Sequence, residues 1–298
     1  MAGPGLLAFP KGYFDRLCAG DMGLKDWLLE ASGLEIQGVE MYPAFYRDRS
    51  MAAVESIHEF AAEKGLQVPM MCTSPDFTQA GEKERKAEVD KMQFWIDAMS
   101  RAPVKGRLRT CRVLSGQRRP DVSREDGVRW VVECIGELLP FAERRGVHLV
   151  MENHYKDGLW EYPEFAQHLD VYTEIVESIR SEWFGVNYDP SNALIAGEDP
   201  IAVLDRFRDR ILTMHASDRH LRRGYTMEDL EKHVGRGYPQ ALEHGVIGTG
   251  LIDYGRIFAV LKDIGFSGWI SIEDGAGGLE DLRQSVSFLN SMIRSTFG

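Results

Sequence analysis

The feature that most limits what this chain can fold into is a series of eight short apolar or β-branched segments. Each is followed by enough sequence for a helix. The segments are Leu6–Phe9, Ile36–Met41, Gln67–Cys72, Arg109–Leu114, His148–Glu152, Trp183–Tyr188, Ile211–His215 and Trp269–Glu273. Strands that alternate with helices pair in parallel, because a parallel neighbour needs a crossover that returns the chain to its starting edge. Eight such units predict a closed α/β architecture, the (β/α)8 or TIM barrel, rather than an open doubly wound sheet. No G-x-G-x-x-G or Walker loop follows any segment, which speaks against a nucleotide-binding sheet. The 298 residues suit one barrel, and no Pro/Gly/Ser linker or internal repeat divides them, so residues 1–298 are expected to form a single domain.

Helix signals agree with that plan. Ser50 is placed to cap a helix whose Met51, Val54, Ile57 and Phe60 keep roughly helical spacing, with Lys64 and Gly65 ending it. Val128, Val131, Ile135, Leu138 and Ala142 form a second stripe closed by Arg145-Gly146, in which Pro140 predicts a kink or a break. Pro200 suits the first turn of another helix, and a last one is expected over Leu279–Ile293. The connection between the seventh and eighth strands is long, and from Asp218 to Gly250 it is polar and rich in Gly, His and Arg. An elaborated loop over part of the barrel mouth is expected there.

Composition narrows the partners. A net charge of −11 repels phosphate backbones, so nucleic acid is not expected. Cys18, Cys72, Cys111 and Cys134 lie far apart without a C-x-x-C pair, as befits reduced, buried thiols. The first ten residues lack a basic stretch before their short apolar run, and no segment reaches the about 18 apolar residues of a membrane span. No membrane association and a cytoplasmic location are the expectations.

Four residues stand where a strand runs out: Glu152, Asp189, His215 and Glu273. In a barrel the C-terminal ends of strands five to eight converge on one side of the mouth. Three carboxylates gathered there without a cation would repel and raise one another's pKa. With one imidazole they make an oxygen-rich set suited to Mn²⁺ foremost, and also to Mg²⁺, Co²⁺ or Zn²⁺.

The segments Gly38-Val39-Glu40, Met151-Glu152-Asn153-His154, Asp189-Pro190-Ser191-Asn192, His215-Ala216-Ser217-Asp218 and Gly268-Trp269-Ile270-Ser271-Ile272-Glu273 resemble the sugar phosphate isomerase/epimerase superfamily. This is the xylose isomerase-like TIM-barrel group, which includes ketose 3-epimerases, hydroxypyruvate isomerase and inosose dehydratase. The resemblance implies one divalent metal on Glu152, Asp189, His215 and Glu273, with Glu152 and Glu273 doubling as the catalytic acid/base pair. The implied substrate is a small carbohydrate, a keto sugar or related polyol, and the implied reaction is isomerisation or epimerisation by proton abstraction beside a carbonyl. The chain departs from the epimerases at Asn192, Gly158 and Leu221, where they carry His, Glu and Arg; Glu161, Arg222 and Arg223 lie close to the last two. These departures keep a lyase or dehydratase, acting on an inosose or a 3-keto-glycoside, as the alternative. An apurinic endonuclease-like phosphodiesterase and a non-catalytic sugar sensor fit less well, the first for want of histidines and the second because a binder needs no opposed carboxylates. The group also implies a homo-oligomer.

Further mouth residues are candidates for substrate contact: His154, Asn192, Asp218, His220 and Glu40. Glu40 has a structural alternative, an ion pair with a barrel arginine. Either Arg109 or Arg112 is expected to reach inward to a carboxylate or substrate oxygen, unless both cover an exposed strand edge. The segment His244–Gly250 is expected to bring a tight glycine backbone near the ligand. Phe9, Tyr42, Phe77 and Trp160 fall on loops that could stack on sugar, with core packing as the alternative, and Arg118 and Arg119 could meet a phosphate.

Overall fold

A computed structural model describes residues 3–232, 237–275 and 277–298. Among them ten strands run in chain order: β1 (Gly5–Ala8), β2 (Gly38–Met41), β3 (Gln67–Met71), β4 (Arg109–Val113), β5 (Val147–Met151), β6 (Phe184–Tyr188), β7 (Ile211–Ala216), β8 (Arg219–Leu221), β9 (Leu242–His244) and β10 (Trp269–Ile272). All except β8 and β9 pair in parallel in one closed barrel, which β10 completes by lying between β7 and β1 with Gly5 opposite Trp269 and Ala8 opposite Ile272. The eight expected strands therefore exist, with bounds shifted by one or two residues. The β strands are short and almost wholly buried, as apolar runs covered by an outer layer of helices must be.

The long connection after β7 holds the antiparallel ribbon β8–β9, in which Arg219 faces His244, and the short helix Met227–Glu231. Residues 233–236 of that connection lie outside the described residues.

Capping follows the sequence signals. Ser50 accepts the Ala53 N–H, Gly146 ends its helix in the left-handed region at φ 64°, and Pro200 takes the first turn behind the Asp199 cap. Three expectations need correction. Pro140 does not break its helix, which runs unbroken from Arg124 to Arg145. The carbonyl that loses its partner to Pro140 belongs to the exposed Gly136, where water can satisfy it. The last helix extends past Ile293 to Phe297. The helix Met51–Glu63 buries Val54, His58 and Ala61, leaving Met51, Ile57 and Phe60 at the edge of the core, because His58 finds a partner inside.

That partner is the Tyr46 hydroxyl, 3.1 Å from His58 Nε2. Burial lowers the His58 pKa from 6.5 to about 4. An unfolded chain therefore takes up a proton near pH 6.5 that the folded chain resists until about pH 4, so stability is intact above 6.5 and falls as acid is added across that window. The limit is roughly 3 kcal/mol. Urea titrations at pH 7 and pH 4.5 are expected to show a smaller acid loss in His58→Gln than in the parent, and equal losses would refute the assignment.

Candidate metal centre

The pleat of the strands builds this site. Side chains two residues apart point the same way, so the residues that end β5, β6, β7 and β10 inside the barrel carry their inward neighbours with them. Glu152 follows β5, Asp189 follows β6, His215 lies on β7 and Glu273 follows β10. All four are buried, and one donor atom from each lies within 4.8 Å of the others.

Each ligand candidate is held by a separate device. Asp189 caps the helix Pro190–Ala196, its Oδ1 accepting the N–H groups of Ser191 (2.7 Å) and Asn192 (3.2 Å) and the Ser217 hydroxyl (2.7 Å). That leaves Oδ2 facing the cluster, where the Asn192 amide donates to it at 3.1 Å. Glu152 accepts from Arg112 Nη1 at 3.0 Å, Asn187 Nδ2 at 3.1 Å and Asn192 Nδ2 at 2.6 Å. Thr213 in turn donates to the Asn187 amide oxygen at 2.7 Å, which fixes the direction of its NH2. His215 points Nε2 at both oxygens of Glu40, each 3.1 Å away. Its Nδ1 stands 3.2 Å from Glu152 Oε2 and 2.9 Å from Glu273 Oε2, yet is aligned for a hydrogen bond with neither.

A buried ring nitrogen without a partner, set among three carboxylates, fits a divalent cation on Nδ1, with Glu40 holding the other nitrogen as histidine ligands require. The electrostatics agree. Burial and the neighbouring Glu152 and Glu273 push Asp189 up to about 6. Burial works against the charge of Glu152 too, but His215 and Arg112 outweigh it and hold that carboxyl at about 2. Glu273 is likewise held well below the usual range, burial being outweighed by Lys11 and His215. The protein thus keeps two carboxylates ionised and pays on the third, a conflict that a dication removes.

A cavity of about 290 Å³ opens beside the cluster, lined by Phe9, Lys11, Phe14, Tyr42, Arg112, His154 and Glu273 among others. Glu273 borders it and Glu152 does not. Lys11 Nζ lies 3.4 Å from Glu273 Oε1 and, although burial disfavours its charge, Glu273 raises its pKa. His154 is buried here with Nδ1 accepting the Lys156 N–H at 3.2 Å. Burial brings its pKa down to about 4, so near neutral pH the ring is uncharged and Nε2 carries the proton. Tyr42 is anchored by the Asp157 carboxylate at 3.0 and 3.2 Å.

The expected substrate contacts divide. His154 lies in the cavity wall, whereas Asn192 spends its NH2 on Glu152 and Asp189, leaving a buried Oδ1 without a partner, and Glu40 spends its carboxylate on His215. Asp218 is turned away: its two oxygens accept the N–H groups of Arg219, Gly248, Gly250 and Ile252, which uses its lone pairs on a loop. The glycines of His244–Gly250 are needed for that wrap rather than for a ligand. Gly248 has φ 87°, and a Cβ on Gly250 would lie 2.3 Å from Asp218 Oδ1. His220, on β8, meets Thr249 Oγ1 at 3.1 Å and not the cluster. Glu161 is exposed, as are Arg222 and Arg223, and Arg119 pairs with Asp76 at 2.6 Å. Of the two β4 arginines, Arg112 is the one that reaches inward, while Arg109 binds the Ala102 carbonyl. Phe77 is core.

Lys11, Asn187 and Asp157 escaped the sequence reading. Asn187 was accessible in principle, since it precedes Asp189 by two and shares its side of the strand. Lys11 opens a single 3-10 turn and Asp157 sits on a loop, where no period announces direction.

Comparison with known proteins identifies the fold family. The family model Xylose isomerase-like TIM barrel matches residues 28–292. The chain is 24% identical over 146 residues to the inosose dehydratase of Bacillus thuringiensis (strain Al Hakam), a match covering 48% of this chain and 45% of that protein. It therefore spans less than half the length of that curated relative. Among solved structures, the IolI protein with a binding zinc atom superposes with a TM-score of 0.72 at 16% identity, covering 99% of both chains. The 3-keto-D-glucoside 4-epimerase from E. coli superposes with a TM-score of 0.66 at 16% identity, covering 98% of this chain and 100% of that one. With the closed eight-strand barrel and a family match over nearly its whole length, the chain belongs to the xylose isomerase-like TIM barrel family.

Proposed function

We propose that this chain is a divalent-metal-dependent isomerase or epimerase of a small keto sugar or related polyol. The observation that carries the proposal is the pair of carboxylates Glu152 and Glu273, which approach the unpartnered His215 Nδ1 from β5 and β10. A dication held by Glu152, Asp189, His215 and Glu273, with Mn²⁺ the first choice, would polarise the substrate carbonyl and stabilise the negative charge left when the neighbouring carbon loses its proton.

The two glutamates differ in what they are free to do. Glu273 borders the cavity, and among the described residues its Oε1 meets only the Lys11 ammonium, so it is the group placed to take the proton. Glu152 is bound by three amide and guanidinium donors and stays ionised at neutral pH as a ligand. In epimerisation it is also the group on the other flank from which a proton could return, once a ligand displaces part of that network. His154 offers Nε2–H to a substrate hydroxyl or carbonyl oxygen, and Phe9, Phe14 and Tyr42 exclude water from the reacting carbon.

A lyase or dehydratase is the second reading, favoured by one observation. At the three positions where ketose epimerases read hydroxyls, Asn192 spends its NH2 on Glu152 and Asp189 and keeps only Oδ1 without a partner, Gly158 has no side chain, and Leu221 is apolar. The matched inosose dehydratase points the same way. Protein restored with Mn²⁺ and incubated in D2O with keto sugars, inososes and 3-keto-glucosides separates the two. Deuterium at one carbon without change of composition marks an isomerase or epimerase, and loss of water or of an aglycone marks a lyase. No exchange and no elimination across the panel would sink both.

A further inference from the structure

A second, larger cavity of about 670 Å³ lies beside the first. The two share a wall in an ordered way. The loop after β2 gives Tyr42 to both cavities and Pro43–Ala44 to the larger. The loop after β3 gives Cys72 to the smaller and Thr73–Asp76 to the larger. The loop after β5 gives Asp157–Gly158 to the smaller and Leu159–Trp160 to the larger. The loops after β2, β3 and β5 thus pass from one cavity to the other within consecutive residues and, with Tyr42 lining both, the cavities adjoin as one trough across the mouth. Arg112 ties the partition together: besides Glu152 it binds the Thr73 carbonyl at 3.3 Å and the Ser74 hydroxyl at 3.1 Å.

The lining of the larger cavity has its own chemistry. Trp95 and Trp160 supply flat apolar surface, while the Asp76 carboxylate is locked by Arg119 and Gln117 (2.9 Å) into a rigid polar floor. Arg49 lines it with no hydrogen bond or ion pair among the described residues. Leu159, at the rim, is 70% exposed, a large apolar side chain left in water next to a tryptophan. Aromatic planes for C–H faces beside fixed polar groups for hydroxyls are what a pyranose ring asks of a binding surface.

We propose that this cavity is a subsite for the second ring of a glycoside, so that the substrate is a keto sugar in glycosidic linkage to another sugar rather than a free monosaccharide. The inference rests on the metal-centre reading for where the reacting ring sits, and on the trough alone for the second ring. The reacting ring occupies the smaller cavity against Glu273 and His154, and the glycosidic bond passes over Tyr42, which the Asp157 carboxylate holds in place. Binding energy from the non-reacting ring would then orient the reacting one.

The test compares deuterium exchange from D2O into 3-keto-glucose and 3-keto-maltose by the Mn²⁺-restored protein, with Trp160→Ala and the cavity-filling Ala44→Trp beside the parent. The expected kcat/KM ratio of two-ring to one-ring substrate is about tenfold or more in the parent and close to one in both variants. Equal rates on the two substrates in the parent, or a ratio unchanged in both variants, overturns the subsite. A second arm needs no turnover: metal-free protein is titrated with plain maltose and with glucose while tryptophan fluorescence is read. Saturable quenching by maltose, weaker with glucose and lost in Trp160→Ala, supports the subsite even if no exchange is seen, in which case the metal-centre reading alone has failed. No response to maltose together with exchange into 3-keto-glucose means the reverse.

Discussion

Glu273→Gln is expected to lower the exchange rate of the true substrate by about 10³-fold while the protein still binds Mn²⁺. General bases of this kind contribute 10²–10⁴-fold, and a glutamine oxygen still offers the metal a ligand. Lys11 sits 3.4 Å from Glu273, and its charge keeps the carboxylate ionised in the free protein. The companion change, Glu152→Gln, is expected to fail differently. Its NH2 must face either Asn192 or the Arg112 and Asn187 donors, and in both orientations the buried Arg112 guanidinium loses its counter-charge. Breaking such a buried pair costs several kcal/mol, so this variant should lose stability and metal together. Kinetics at saturating Mn²⁺, read beside thermal melts, distinguish the two. Full activity in Glu273→Gln would remove it as the base.

The second large effect separates charge from geometry. In metal-free protein Asp189→Asn should raise the melting temperature or leave it unchanged. Its oxygen can still accept the Ser191 and Asn192 N–H groups, and a charge that burial and two glutamates already push to about 6 has gone. With Mn²⁺ the order should reverse. At a metal concentration about a thousandfold above Kd the parent gains roughly 4 kcal/mol, or about 5–10 °C in Tm for a chain of this size, and the variant gains little. Because Asp189 must give up its proton to bind, and so must His215, whose pKa, against the effect of burial, Glu40, Glu152 and Glu273 raise well above its usual value, the Mn²⁺ affinity of the parent should weaken steadily as the pH is lowered. An Asp189→Asn protein that Mn²⁺ stabilises as fully as the parent would exclude Asp189 as a ligand.

The barrel and its four strand-end residues were legible in the sequence because both depend on local periods. Apolar runs mark strands, and a polar residue at the end of such a run has one direction to point. Arg112 could be flagged for the same reason, being a charge where a strand interior should be apolar. What escaped was set by the loops. Asp218 follows His215 by three and reads as a ligand neighbour, but its direction depends on where Gly248, Gly250 and Ile252 return, some thirty residues later. Lys11 reaches Glu273 across the closing seam of the barrel, from the opposite end of the chain. Pro140 shows the converse: its local rule was right about the lost hydrogen bond, and exposure of Gly136 made the loss cheap.

Asp218 has one more consequence. A single carboxylate fastens residue 219 to residues 248, 250 and 252, so the β8–β9 ribbon leaves the barrel and returns at one knot, beside which Arg219 and His244 both bind Asp274. Such a segment behaves as a cassette. Its length and composition can drift, or be swapped by an engineer for another, while the strand that carries His215 keeps its place.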